Sequence, residues 1–227
     1  MMKTVLFDLD GTLTDSREGI VNSIKYALNA FDYEIPDEDT LQLFLGPPIV
    51  ESFQEHCGMT EEEARIAYKK FQERYGTLGK FENRVYDGIS ELLTKLRAEH
   101  YYVAVATAKP EHFAREILDH FYLTPYFNLI VGADTASGLI HKEDILKKAL
   151  NLSRQPLQDK NGRRIAYMVG DRKYDVESAN ALGCISIGVT YGYGAESELL
   201  AANAEYLCDE PDEIAMTLDL EEMMVRR

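Results

Sequence analysis

Residues 2–13 read Met2-Lys3-Thr4-Val5-Leu6-Phe7-Asp8-Leu9-Asp10-Gly11-Thr12-Leu13. A short apolar run that stops at an acidic Asp-Gly turn is the pattern of a buried strand. Further runs of this kind are Tyr102 to Thr107, Leu129 to Gly132, Ile165 to Val169 and Cys184 to Val189, with a short sixth at Tyr206 to Cys208. Helical patterns lie between them. Ile89 to Glu99 puts Ile89, Leu92, Leu93 and Leu96 on one face. Pro110 to Phe121 opens with a proline suited to a first helical turn. Glu143 to Leu150 follows, then Val176 to Leu182, closed by Gly183 as a C-terminal cap. Strands alternating with helices predict an α/β fold: a Rossmann-like, doubly wound parallel sheet covered on both faces.

One stretch breaks the alternation. Between Ser16 and about Arg84 no strand is expected. Ile20, Val21, Ile24, Ala27, Leu28 and Phe31 form an apolar helical stripe. Leu41, Phe44 and Leu45 begin another after Pro36-Asp37. Ile49 to His56 is a third, ended by Gly58. Thr60-Glu61-Glu62-Glu63 is a capping box opening a fourth, with Ala64, Ala67, Tyr68, Phe71 and Tyr75 facing inward. The expected organisation is an α/β core of residues 1–15 and 85–227 with an all-helical insert at 16–84.

Bulk composition narrows the function. The chain has 227 residues, 45% apolar and 28% charged, which suits a soluble globular protein with a substantial core. No apolar run approaches the roughly 20 residues of a membrane helix, and the N-terminus is too short and acidic for a signal peptide. A cytoplasmic location is expected. The net charge is −15, and neither the insert nor the remainder is basic, which argues against nucleic acid and anionic membrane as partners. Cys57, Cys184 and Cys208 have no CxxC spacing, so they read as small apolar residues, without disulfide or zinc.

In an open parallel sheet the ligand crevice lies beyond the carboxyl ends of the strands. The first strand ends at Asp8-Leu9-Asp10-Gly11-Thr12, the second at Thr107-Ala108-Lys109, the fourth at Gly170-Asp171-Arg172-Lys173-Tyr174-Asp175. Lys142 follows the third after a Ser137-Gly138 turn. Four acids, a hydroxyl and a lysine therefore converge. Asp8, Asp10 and Asp171 are hard oxygen ligands that suit Mg²⁺. Asp8 and Asp10, two apart on an extended segment, can point the same way. One carboxylate can attack phosphorus, and the other can protonate the leaving oxygen and then activate water. Gly11 lets backbone approach a phosphate, Thr107 and the Ala108 N–H can hold another oxygen, and Lys142 can offset charge on the equatorial oxygens. Each piece has a plainer reading: a common Asp-Gly turn, a helix-capping Thr107, a solvated Lys142, helix-capping Asp171 and Asp175. The ordered combination argues against those readings.

These motifs resemble the haloacid-dehalogenase superfamily. Asp8 to Leu13 matches its first motif, Thr107 its second, Lys142 its third, and Gly170-Asp171 through Asp175 its fourth. The resemblance implies Asp8 as nucleophile and Asp10 as general acid/base. It implies Mg²⁺ held by Asp8, the Asp10 carbonyl and Asp171, with Asp175 supporting the site. It also implies that the helical insert is a mobile cap. An acid at Asp10 marks phosphatases and phosphomutases within the superfamily. Thr107-Ala108-Lys109-Pro110, Gly46-Pro47-Pro48 and Val189 to Gly194 are similar to phosphoglycolate-phosphatase-like members. Ala108 stands where many relatives have Asn, and Lys142-Glu143-Asp144 replaces a commoner Lys-Pro. The expected function is hydrolysis of a small phosphorylated metabolite, phosphoglycolate first, by a monomer or homodimer. A nucleotide, pyrophosphate or phosphotyrosine-type substrate is an alternative. A phosphomutase is the rival chemistry, and a non-enzymatic regulator comes last. Tyr191 and Tyr193 read as packing, and the five histidines show no ligand spacing.

Overall fold

The apolar runs become strands wherever both faces of a sheet can be buried. The structure, a computed structural model, describes residues 2–225, with side chains through residue 218. In chain order the elements are β1 (Thr4–Phe7), β2 (Thr14–Asp15), α1 (Arg17–Asn29), α2 (Glu38–Gln42), α3 (Ile49–Cys57), α4 (Glu61–Tyr75), β3 (Arg84–Val85), α5 (Ile89–Ala98), β4 (Tyr102–Pro110), α6 (Glu111–His120), β5 (Leu129–Ala133), α7 (Lys142–Ser153), β6 (Ala166–Gly170), α8 (Lys173–Leu182), β7 (Ile185–Val189), α9 (Glu196–Ala201), β8 (Tyr206–Cys208) and α10 (Pro211–Val225). Six of the strands form one sheet in the order β5-β4-β1-β6-β7-β8, and every pairing in it is parallel. The doubly wound α/β class is the one observed.

The chain divides into two compact units, residues 1–13 with 85–227, and residues 14–84. In the first, strand alternation sorts side chains onto two faces. Val5, Phe7, Val103, Val105, Tyr167 and Val169 pack with Leu92, Leu93 and Leu96 of α5, Ile117 of α6 and Ile214 of α10. Leu6, Ala104, Ala106, Ala166 and Met168 face Ile145, Leu146 and Ala149 of α7. Each buried aliphatic side chain contributes about 1.5–3 kcal/mol, so β1, covered on both faces, is firmly held. The residues leaving its end inherit that rigidity.

The second unit is built around α1 and α4, which bury Ile20, Ile24, Ala27 and Leu28 with Ala64, Ala67, Phe71 and Tyr75. The capping box of α4 is present in full: the Glu63 N–H donates to Thr60 Oγ1 at 3.3 Å and the Thr60 N–H to Glu63 Oε2 at 2.8 Å. Arg74 forks onto Glu82 with two 2.7 Å hydrogen bonds.

Several local expectations are corrected. Phe31 is 41% exposed, because α1 ends at Asn29 and the stripe outruns the helix. The second stripe makes only the five-residue α2; Phe44 and Leu45 are buried from the turn after it. Pro110 is the N-cap of α6, extended at φ −50° and ψ 129°, rather than its first turn. β2 and β3 form a two-stranded ribbon at the two borders of the insert, where the sequence singles out no strand. The three cysteines read as small buried residues; Cys184 and Cys208 are buried, Cys57 is only half-buried, and all three are free.

Candidate active site

Asp8 follows β1 directly, Asp171 follows β6, its neighbour in the sheet, and Asp175 sits in the first turn of α8. The three carboxylates offer one ligand atom each, all within 4.8 Å of one another. Like charges at that separation require a counter-charge. Lys142, buried at the start of α7, supplies part of it. Its Nζ lies 2.8 Å from Asp8 Oδ1 and 2.7 Å from Asp175 Oδ1, and donates to the Ala106 carbonyl at 3.0 Å. All three ammonium donors are thus used. Burial pulls the Lys142 pKa down, but Asp175 and Asp8 outweigh it and hold the group charged.

Asp171 is fully buried, and its carboxyl is pushed up to about 8. Burial is the main cause, and Asp175 and Asp8 add to it; the Tyr193 N–H and Arg172 oppose it only in part. Asp175 is likewise raised, because burial outweighs the attraction of Lys142. Asp175 also caps α8, accepting the Arg172 N–H at 3.1 Å, so one side chain both closes the helix start and lies in the acidic cluster.

The remaining expected residues take distinct positions. The Asp10 carboxylate is not part of the three-acid cluster; its Oδ2 lies 2.7 Å from Lys109 Nζ. Gly11 has φ +77°, and a Cβ there would fall 2.2 Å from Asp171 Oδ2. Only glycine lets the turn lie against that carboxylate. Thr107 is buried at the end of β4, and Ala108 is exposed. Asp8 accepts the Leu9 N–H on Oδ1 at 2.8 Å, the same oxygen that Lys142 holds.

Sequence reasoning missed two contributors. Lys109 stands in the Thr107-Ala108-Lys109-Pro110 motif, whose spacing assigns it no role. The Tyr191–Gly194 segment read only as packing, which Tyr191 does perform against Tyr86 at 4.9 Å between centroids. Its backbone does more. The Tyr193 N–H donates to Asp171 Oδ2 at 2.8 Å, and the Tyr191 hydroxyl donates to the Thr12 carbonyl at 3.0 Å. A Cβ on Gly192 would lie 2.3 Å from Asp171 Cβ. The glycine spacing was the available signal.

The donor set fits a divalent metal. Asp8, Asp10, Asp171 and Asp175 against Lys109 and Lys142 leave two negative charges, and the donors are hard oxygens. Asp10 Oδ1, outside the three-acid cluster, is buried without a hydrogen bond. Among the described residues no helix is long and apolar enough to cross a membrane.

Comparison with known proteins agrees with this geometry. The family model described as haloacid dehalogenase-like hydrolase matches residues 5–189. The chain is 40% identical to a 5'-nucleotidase of Pseudomonas aeruginosa, over 90% of each chain. It is 41% identical to tyrosine-protein kinase PtkA of Mycobacterium tuberculosis, over 84% of this chain and 62% of that one. It is 26% identical to the phosphoglycolate phosphatase of Salmonella typhimurium, over 96% of this chain and 93% of the relative. The crystal structure of a predicted phosphatase from Clostridium acetobutylicum superposes with a TM-score of 0.87 at 42% identity, covering 96% of this chain and 99% of that one.

Proposed function

The chain belongs to the haloacid dehalogenase-like hydrolase family and is a phosphoric monoester hydrolase; we propose that it hydrolyses small phosphomonoesters, with Mg²⁺, through an aspartyl phosphate on Asp8. The observation that carries the reading is the buried meeting of Asp8, Asp171 and Asp175 around Lys142. Both contacts of Asp8 fall on Oδ1, which leaves Oδ2 to attack phosphorus. As that P–O bond forms, the ester P–O bond breaks, and the proton of Asp10 goes to the leaving oxygen. Water then attacks the acyl phosphate, gives its proton to Asp10, and releases phosphate and free Asp8. Lys142 and the N–H groups around Gly11 and Ala108 offset charge on the transferring oxygens. Asp8, the Asp10 carbonyl and Asp171 would hold Mg²⁺, with Asp175 behind them. When bound, the ion would neutralise the phosphoryl oxygens against these acids. The helical unit would serve as the cap that excludes water and reads the leaving group.

Phosphoglycolate and nucleoside 5'-monophosphates are the substrates to compare first, since relatives carry both names. A second reading, phosphoryl transfer involving tyrosine, is favoured by the 41% identical kinase. The test is phosphate release from a panel including both substrates, phosphotyrosine and pyrophosphate, with and without Mg²⁺, in wild type and Asp8→Asn. Mg²⁺-dependent release that disappears in the variant is expected. Release that persists in Asp8→Asn would overturn Asp8 as the nucleophile. No release from any ester, with phosphorylation of tyrosine from ATP, would favour the second reading.

A further inference from the structure

The register break at the end of β4 does more than position Thr107. β4 and β5 pair continuously from Ala104↔Leu129 to Thr107↔Gly132, and the next pair is Pro110↔Ala133. Residues 108 and 109 are therefore extra on β4. Bulges of this kind re-aim side chains and gather beside active sites. Here Ala108 is turned out and Lys109 is turned in, 9% exposed. The Lys109 N–H donates to Thr107 Oγ1 at 3.2 Å, and Pro110 restricts the backbone that follows.

This places Lys109 Nζ 2.7 Å from Asp10 Oδ2, with side chains only 6% and 16% exposed. Asp10 Oδ1 keeps no hydrogen bond. Lys142 thus meets Asp8 and Asp175, and Lys109 meets Asp10. Burying an ammonium against a carboxylate gains little for folding, since well-packed apolar residues would do as well. A catalytic carboxylate, by contrast, needs one fixed rotamer.

We infer that Lys109 is a positioning residue, holding Asp10 by Oδ2 so that Oδ1 is presented to the oxygen of the leaving group. This rests on Asp10 acting as general acid in the function proposed above. The distinguishing readout is leaving-group dependence. An alkoxide must be protonated as it departs, and p-nitrophenolate need not be. Under kcat/KM the comparison is confined to steps up to phosphoryl transfer, so later hydrolysis of the intermediate does not blur it.

Lys109→Met is the test. kcat/KM for glycerol 2-phosphate is expected to fall about 100-fold, and that for p-nitrophenyl phosphate less than about tenfold. Lys109→Gln, which can still donate to Asp10, should lie between wild type and Lys109→Met; it carries the same comparison if circular dichroism shows that the methionine variant does not fold. Isothermal titration of the metal-free variant with Mg²⁺ should give the wild-type affinity. Equal losses on both esters would overturn the inference, as would loss of Mg²⁺ binding, because either would give Lys109 a role in phosphate or metal binding. If the wild type hydrolyses neither these esters nor any member of the panel above, the phosphatase reading itself fails, and this inference fails with it.

Discussion

Replacing Asp171 by Asn should make the metal-free protein more stable, not less. Asp171 is fully buried beside Asp8 and Asp175, and its carboxyl is raised to about 8 from 3.8. Between those values the folded chain keeps a proton that the unfolded chain has lost. Folding therefore takes up a proton, and stability falls as pH rises through the window, by about 1.4 kcal/mol per pH unit. The loss is absent below about pH 4 and complete above about pH 8. At pH 7 it amounts to ~4 kcal/mol. Asn carries no charge to lose. Its oxygen can accept the Tyr193 N–H that Asp171 accepts at 2.8 Å, and its NH₂ can donate to Thr12 Oγ1, now 3.3 Å from Oδ1.

Urea unfolding in EDTA at pH 4, 5.5, 7 and 8 checks the prediction. The two proteins should be nearly equal at pH 4, and Asp171→Asn should lead increasingly to pH 8. Adding Mg²⁺ at about 100 times its dissociation constant should raise wild type by ~2.7 kcal/mol and the variant by much less. The reasoning is refuted if the variant is no more stable at pH 7 in EDTA, or if its advantage is flat with pH. A flat advantage would mean that packing, not the buried charge, sets the difference.

Three further substitutions probe the same site and the helical unit. Gly192→Ala puts a Cβ 2.3 Å from Asp171 Cβ; a stability loss of about 1–3 kcal/mol and weakened Mg²⁺ binding by isothermal titration are expected. Lys142→Met strands Asp8 and Asp175, so urea unfolding should show a loss of roughly 3 kcal/mol, and phosphate release should be abolished. Thr60→Ala removes the α4 cap; chemical unfolding should show a loss of about 1 kcal/mol, with phosphate release per folded molecule unchanged.

The parts legible in the sequence were those written by local rules. Val5 to Phe7 had to be a strand, because an apolar run stopping at Asp8 leaves no helical face. The acids at the ends of β1 and β6 followed from strand periodicity and parallel topology. Thr60 and Glu63 announced their capping box by spacing alone. What stayed hidden depends on register. Lys109 is two residues past Thr107, and only the break between Thr107 and Pro110 turns it onto Asp10. The Tyr191–Gly194 segment acts through backbone N–H groups and the absence of Cβ atoms, which its tyrosines mask. Phe31 failed differently, since the stripe continued one step beyond Asn29, where α1 ends.

Charge balance ties the three clustered acids to a metal. Asp8, Asp171 and Asp175 carry three negative charges, and Lys142 removes one. A divalent ion would bring that cluster to neutrality before a phosphate dianion arrived, where surplus carboxylate charge would oppose binding. The donors facing the phosphoryl group, from Lys142 to the backbone N–H groups near Gly11, can then favour the dianion without first overcoming surplus carboxylate charge. Burial is the main cause of the raised pKa of Asp171, and the charges of Asp175 and Asp8 add to it, so the metal-free site holds a proton there. Proton and metal should therefore compete. Mg²⁺ affinity is expected to rise with pH up to about 8 in the wild type, and titration calorimetry in buffers of different ionisation enthalpy should register protons released as the ion binds. Binding at pH 6.5 without proton release would mean that Asp171 is already ionised, and that another positive group on this rim supplies the missing charge.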